Sequence, residues 1–342
     1  MIWMSDLIRL TDDGLYCEAG DFHIDPWQPV RRAVITHAHA DHARPGNAAY
    51  LTSRDGEGVL RLRLGDAAVI ETLPYGQPVS INGVRVSLHP AGHILGSAQI
   101  RVEHRGEVWV VTGDYKTTPD PTCAPFEPVR CHVLVSECTF GLPIYRWPDP
   151  QGIFEQINAW WQANAAAGRA SVIYGYALGK AQRILAGVNA AIGPIFTHGA
   201  VERVNAAYRE SGVGLPPTGY VGAVTDKKCF RGALIVAPPS ANSAPWLRKF
   251  GDASTAMASG WMQIRGVRRR RAVDRGFVLS DHADWDELMR AIEASGAERV
   301  LLTHGYTAAV ARHLRERGLQ ADVLLTRFAG DAGDDELESA SA

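Results

Sequence analysis

The chain has 342 residues, 46% of them hydrophobic and 21% charged, with a formal net charge of −2. That length suits one large domain or two ordinary ones, and the near-neutral balance excludes a global basic field, so any polyanion site has to be a local patch. Five scattered cysteines with no C-x-x-C pair disfavour a disulfide framework or a zinc ribbon and suit a reducing compartment.

The first residues, Met1 to Asp6, lack a basic segment followed by an apolar one, and no run of about 18 apolar residues occurs. A cytoplasmic protein without a membrane partner is therefore expected. In chain order, residues 32–36, 84–88, 108–112 and 133–136 are β-rich runs, and the first, third and fourth end in the polar clusters HAHADH, GDY and ECTFG. Reactive side chains on loops at strand ends are the usual plan of an α/β active site. Prolines at 143, 148 and 150 mark a change of texture. A helix is predicted over 152–168, a strand over 171–174, a helix over 179–191 and strands over 194–196 and 234–237. The final third reads as a strand over 276–280, a helix over 285–295 and a strand over 299–303, each strand ending at a histidine cluster. The acidic stretch 331–342 is expected to be disordered.

The central motif is His37-x-His39-x-Asp41-His42, placed directly after an apolar strand. Four donors within six residues let one tight loop aim imidazole nitrogens and a carboxylate at two neighbouring points, which suits zinc or a similar divalent ion. A bland reading, a solvated histidine-rich loop, fits the short motif alone. It fits poorly with His93 in a glycine-flanked turn and Asp114 at a strand end in Thr-Gly-Asp.

That succession resembles the metallo-β-lactamase fold, with Asp25 in the earlier position that supports the first loop and Asp21 as a second candidate. Ser136-Glu137-Cys-Thr-Phe-Gly, Ser280-Asp-His282-Ala-Asp and Leu302-Thr-His304-Gly resemble motifs of its β-CASP nuclease branch, and Tyr176 to Gln182 resembles a helix start in that branch's insert. Within the branch, the chain looks most like bacterial ligase-associated DNA exonucleases, relatives of the SNM1 and Artemis nucleases. The His304 motif, in contrast, is more typical of RNA-processing members.

The resemblance implies an α/β architecture: an αββα sandwich from residues 1–142 and 276–330, with a β-CASP-like α/β insert over 143–275. It implies two divalent ions, Zn with Mn as the other candidate. His37, His39 and His93 would hold the first, Asp41, His42 and His304 the second, and Asp114 would bridge. Asp41, Glu137 and His282 are carried as catalytic residues. His282 is the candidate general acid, and Glu137 fixes its tautomer and favours its protonated form. Lys180 is a candidate phosphate contact at a helix start, against the plain reading of a surface lysine. Arg268, Arg269, Arg270 and Arg271 form the one dense basic run and could hold a strand by its backbone, although such runs are more often solvated faces. Trp160 and Trp161 could stack bases, but their helical spacing favours core packing for at least one, and His198 reads as structural.

The implied function is a metal-dependent nuclease, DNA favoured over RNA, in DNA repair, with a DNA ligase or other repair proteins as partners. The rivals are an RNA 3′-end processing nuclease, a silent scaffold of the same fold, and a small-molecule hydrolase. Intact ligand motifs speak against a scaffold. The Glu137 and His282 motifs would be superfluous in a small-molecule hydrolase.

Overall fold

The computed structural model describes residues 6–266 and 273–328. Arg268 to Arg271 and the acidic tail lie outside the described residues. By contact, the described residues divide into two compact units: one takes those up to Ile144 and His282 to Phe328, and the other takes those between Tyr145 and Asp281.

The first unit carries a six-stranded and a seven-stranded sheet. The smaller sheet runs in chain order through Arg9–Leu10, Leu15–Cys17, Phe22–Ile24, Ala33–Val34, Tyr50–Ser53 and Ile70–Leu73. The larger runs Gln320–Val323, Arg299–Thr303, Val133–Glu137, Glu107–Val111, Ala98–His104, Val84–Pro90 and Pro78–Ile81. The sheets share one core, in which Phe22, Ile24 and Val34 of the first meet Val86, Ile100, Trp109 and Val135 of the second. On the other side of the larger sheet, Val110, Leu134 and Val300 pack with Leu288 and Ile292 of helix Trp285–Ser295 and Val310 and Leu314 of helix Thr307–Glu316. This is the alternation that two covered faces demand. Helix Trp285–Ser295 has clear punctuation. Asp284 and Glu287 form a capping box at its start, and Gly296, at φ 61°, turns the chain at its end.

The second unit is built on six strands that pair in parallel throughout, in the order Gly219–Tyr220, Ile195–Thr197, Leu234–Ala237, Ala170–Tyr174, Ala253–Ala258, Arg275–Phe277. Helix Pro150–Ala166 opens on the Asp149 cap and Pro150, and it buries Ile153, Ile157, Trp160 and Trp161. Two expectations shift here. The helix predicted over 179–191 stops at Gly187, after which Val188 is extended. The strand predicted over 276–280 is Arg275–Phe277, and residues 278–280 leave the ladder on the way to His282.

Among the described residues no helix is long and apolar enough to cross a membrane.

Candidate metal centre

Parallel pairing sets the site. Glu107–Val111, Val133–Glu137 and Arg299–Thr303 are parallel neighbours, with Val111 opposite Val135 and Glu137 opposite Thr303. Their carboxyl ends therefore share one edge and present Asp114, Glu137 and His304 there. Strand Ala33–Val34 of the other sheet leads to Thr36 and the His37 to His42 loop, and Thr36 O accepts from Ala98 N across the core (2.8 Å). Two glycines permit the close approach. Gly113 has φ +57°, and a Cβ there would lie 2.6 Å from Thr36 Cβ. Gly92 has φ +72°, and a Cβ there would lie 2.3 Å from Lys116 O.

Three groups of candidate ligands result: His37, His39, His93 and Asp114; Asp41, His42 and His304; and Asp114, Glu137 and His282. Within each group the ligand atoms lie within 4.8 Å of one another, and every member is buried. In the first group, His39 Nδ1 stands 3.1 Å from both His37 Nε2 and His93 Nε2. Asp114 Oδ2 lies 3.5 Å from His37 Nε2, 3.9 Å from His93 Nε2 and 3.6 Å from His42 Nε2, so one carboxylate faces both ligand groups. Asp41 Oδ2 is 3.6 Å from His42 Nε2 and 3.5 Å from His304 Nε2.

The surrounding bonds fix the tautomers. Asp25 accepts from Thr36 N (2.8 Å), Thr36 Oγ1 (2.5 Å) and His42 Nδ1 (2.7 Å). Nδ1 of His42 is therefore the donor to Asp25, which leaves Nε2 as the nitrogen that faces the centre and can exchange a proton for an ion. Thr36 Oγ1 spends its proton on Asp25 and accepts from His37 Nδ1 (3.0 Å), which turns His37 Nε2 inward as well. Asp21 instead pairs with Tyr16 and Arg31 on the outside. Asp25 and His304 hold positive φ, 44° and 59°, a conformation that non-glycine residues adopt mostly where the surroundings impose it.

The electrostatics show what the cluster is built for. Burial pushes His37 well below the usual histidine range, and the neighbouring imidazoles add to it. Burial also opposes a charge on His42, yet Asp41, Asp114 and Asp25 outweigh it and push this ring up to about 10. Burial raises Asp114 to about 6. His42 Nε2, Asp114 Oδ1 and His304 Nε2 are buried with no hydrogen-bond partner among the described residues. Unpartnered buried polar atoms of this kind are costly when left empty. They fit divalent ions, with imidazole and carboxylate as suitable donors.

Glu137 and His282 have a different character. His282 Nδ1 is 3.0 and 3.1 Å from the two Glu137 oxygens. Oε1 also accepts from Tyr115 N (2.8 Å), and Oε2 from Thr139 N (3.3 Å) and Thr139 Oγ1 (2.5 Å). A carboxylate so fully engaged has little left for an ion. Burial would raise it, but the facing His282 and the Thr139 and Tyr115 donors prevail and lower it to about 2. The His282 ring lies 4.7 Å from that of His93, beside the first ligand group.

The other candidates fall elsewhere. In the second unit, Lys180 is 2% exposed and its Nζ is 2.8 Å from Asp281 Oδ2, while Arg183 NH1 is 3.1 Å from Asp281 Oδ1. Its ammonium is thus spent on a buried carboxylate. Trp161 donates to Gly232 O and Trp160 to Ser254 Oγ, both from within the core. His198 caps helix Gly199–Glu210, accepting from Ala200 N (3.1 Å). Sequence reasoning passed over Thr36 and Thr139, whose sole trace is a hydroxyl beside a functional residue.

Known proteins supply the comparison. The chain is 32% identical over 311 residues to a protein named "Probable DNA ligase" from Opitutus terrae, covering 90% of this chain and 30% of that protein. It is 26% identical over 229 residues to an RNase J-like protein of Methanocaldococcus jannaschii, covering 58% of this chain and 54% of that one. It is 31% identical over 120 residues to the endoribonuclease YSH1 of Saccharomyces cerevisiae, covering 34% and 15%. Two of these homologues, YSH1 and the RNase J-like protein, are β-CASP nucleases of the metallo-β-lactamase fold. A crystal structure of an Enterococcus faecalis V583 protein of unknown function superposes with a TM-score of 0.60 at 11% identity, over 86% of this chain and 79% of that one, which bears on the fold alone. No protein-family profile matches. The chain spans only about a third to a half of the ligase and RNase J-like relatives, and less of YSH1. The clustered histidines and aspartates of this chain have the donor chemistry for divalent metal ions.

Proposed function

We propose that this β-CASP homologue is a two-metal DNA exonuclease acting in repair. In this reading residues 1–142 and 276–330 supply its αββα sandwich and 143–275 its β-CASP-like insert, except that strand Arg275–Phe277, which pairs with Ala253–Ala258, and the residues up to Asp281 go with the insert. The carrying observation is a complete ion-binding set beside a buried His282–Glu137 dyad, because phosphodiester hydrolysis needs both charge neutralisation and a proton for the leaving oxygen.

His37, His39, His93 and Asp114 would hold one ion, and Asp41, His42, His304 and Asp114 the other, Zn or Mn. When bound, the pair supplies a nucleophile near neutral pH and offsets charge on the phosphoryl oxygens. The chain's own residues do the rest. Asp25 and Thr36 hold His42 and His37 in the tautomers that face the centre. Glu137 accepts from His282 Nδ1, leaving Nε2 to carry the proton to the departing oxygen. Tyr115 N and Thr139 keep Glu137 oriented and ionised.

DNA is favoured because the match to the protein named as a DNA ligase runs through 90% of this chain, whereas the YSH1 match covers 34%. A DNA ligase or another repair protein as partner and a cytoplasmic setting belong to the same proposal. The second reading, RNA 3′-end processing, draws on His304 and on the endoribonuclease relatives. End-labelled DNA and RNA of one sequence, offered in competition, decide between them. The DNA reading expects DNA to be shortened first, and preferential loss of RNA would replace it with the RNA reading.

A further inference from the structure

The last described residue, Phe328, lies against the second ligand group. Its ring stacks on His42 with centroids 4.5 Å apart and planes 7° from parallel, and on His304 at 5.1 Å and 9°. His42 and His304 are themselves stacked at 5.3 Å and 15°, so three near-parallel rings form one group. The approach is anchored. Leu324 N donates to Leu302 O (2.9 Å) and its side chain packs on the shared core of the two sheets. Arg327 lies over the Trp27 ring at 6.0 Å, and Phe328 meets the same ring edge-on at 5.8 Å. Trp27 in turn is tied down by its Nε1 donating to Asp12 O (2.5 Å).

We infer that Phe328 is a positioning residue for the second ion, and this rests on the two-metal reading above. Asp25 fixes the His42 ring within its own plane, because a hydrogen bond to Nδ1 still allows the ring to rock about it. The Phe328 face blocks that rocking. For His304, whose ring nitrogens face Asp41 and Asp114 only at 3.5 and 3.8 Å, the same face restricts the tilt of the ring plane. There is also a differential effect. An imidazole that donates to a divalent ion becomes electron-poor, and the negative face of a neighbouring aromatic ring favours that state over the neutral one. The ring further keeps water from the outer side of His42 and His304, which strengthens electrostatic contacts inside. Phe328 is absent from every motif that the ligands define. It reaches the site only because the chain returns along strand Gln320–Val323 at the sheet edge.

The test is stepwise loading of the metal-free protein with Co2+, followed by its visible absorption and repeated for Zn2+ against a competing chelator. Wild type, Phe328→Ala and Phe328→Tyr are compared. Wild type should take up two ions in distinguishable steps. Phe328→Ala should leave the first step unchanged and weaken the second about ten-fold, in the range that partners of metal ligands usually command. Phe328→Tyr, which keeps the ring face, should restore the second step to within about two-fold of wild type. An unchanged second step in Phe328→Ala overturns the inference while leaving the two-metal reading intact. So does an equal loss of both steps accompanied by a fall in Tm, which would mark a merely structural role. If wild type takes up no second ion, the two-metal reading itself fails, and this one with it.

Discussion

Asp25→Asn isolates the part of the site that orients ligands without touching an ion. Asp25 is 1% exposed and receives three donors, Thr36 N, Thr36 Oγ1 and His42 Nδ1. Asparagine keeps the shape but offers one oxygen. If that oxygen retains Thr36 N, the amide NH2 takes the place of Oδ2 and confronts Thr36 Oγ1 and His42 Nδ1. The hydroxyl can reverse its role. His42 can comply only by moving its proton to Nε2, which then points an N–H at the place where a lone pair is needed. Two bonds to a charged acceptor, each worth about 1.5–3 kcal/mol, become weaker neutral ones of about 1 kcal/mol. Allowing for relaxation, a net loss of about 1–3 kcal/mol follows, or roughly 1–4 °C in Tm for a chain of this size. Affinity for the second ion should fall about 10–100-fold, and the first ion, which Asp25 reaches only through Thr36 Oγ1 and His37 Nδ1, should lose less. Thermal melts in chelator and stepwise metal loading measure both effects. Unchanged second-ion affinity would refute the orienting role, as would an equal loss at both positions.

Three further outcomes are expected. His282→Ala should cut cleavage about 10²–10⁴-fold while metal content, measured by elemental analysis, stays at the wild-type value. Gly113→Ala should destabilise by about 1–3 kcal/mol, since φ +57° and a contact of 2.6 Å with Thr36 Cβ leave no room for a methyl, and a lowered Tm would register it. His198 is held below its ordinary value of 6.5, first by burial and then by Lys249 and Arg203. The folded state therefore takes up fewer protons than the unfolded one near pH 6. Its stabilising contribution is full above pH 6.5 and declines as the pH falls through that value toward the depressed folded one. His198→Asn, which keeps a cap acceptor, should flatten the dependence of Tm on pH between about 7 and 5, and an unaltered slope would count against it.

Much of the site was legible because its donors are rare residue types at strand ends, where a short apolar run followed by HAHADH or TGD leaves little freedom of interpretation. Strands such as Glu107–Val111 and Arg299–Thr303, apolar and buried, declare themselves by composition. Arg9–Leu10 and Leu15–Cys17 do not, because two or three residues carry no period, and pairing with neighbours is what makes them strands. Lys180 shows the limit of motif reading. A lysine at a helix start looks like an anion site, and a partner 101 positions away, Asp281, claims it instead. Phe328 and Thr36 were invisible for the same reason: their roles come from contacts that span the chain, not from local spacing.

The most direct test is anomalous diffraction from crystals grown with Zn2+ or Mn2+. Two peaks are predicted about 3.5–4 Å apart, with the Asp114 carboxylate between them, the His37, His39 and His93 rings around one and Asp41, His42 and His304 around the other. A single peak, or none, among these residues in metal-replete crystals would contradict the two-metal centre on which the proposed chemistry depends.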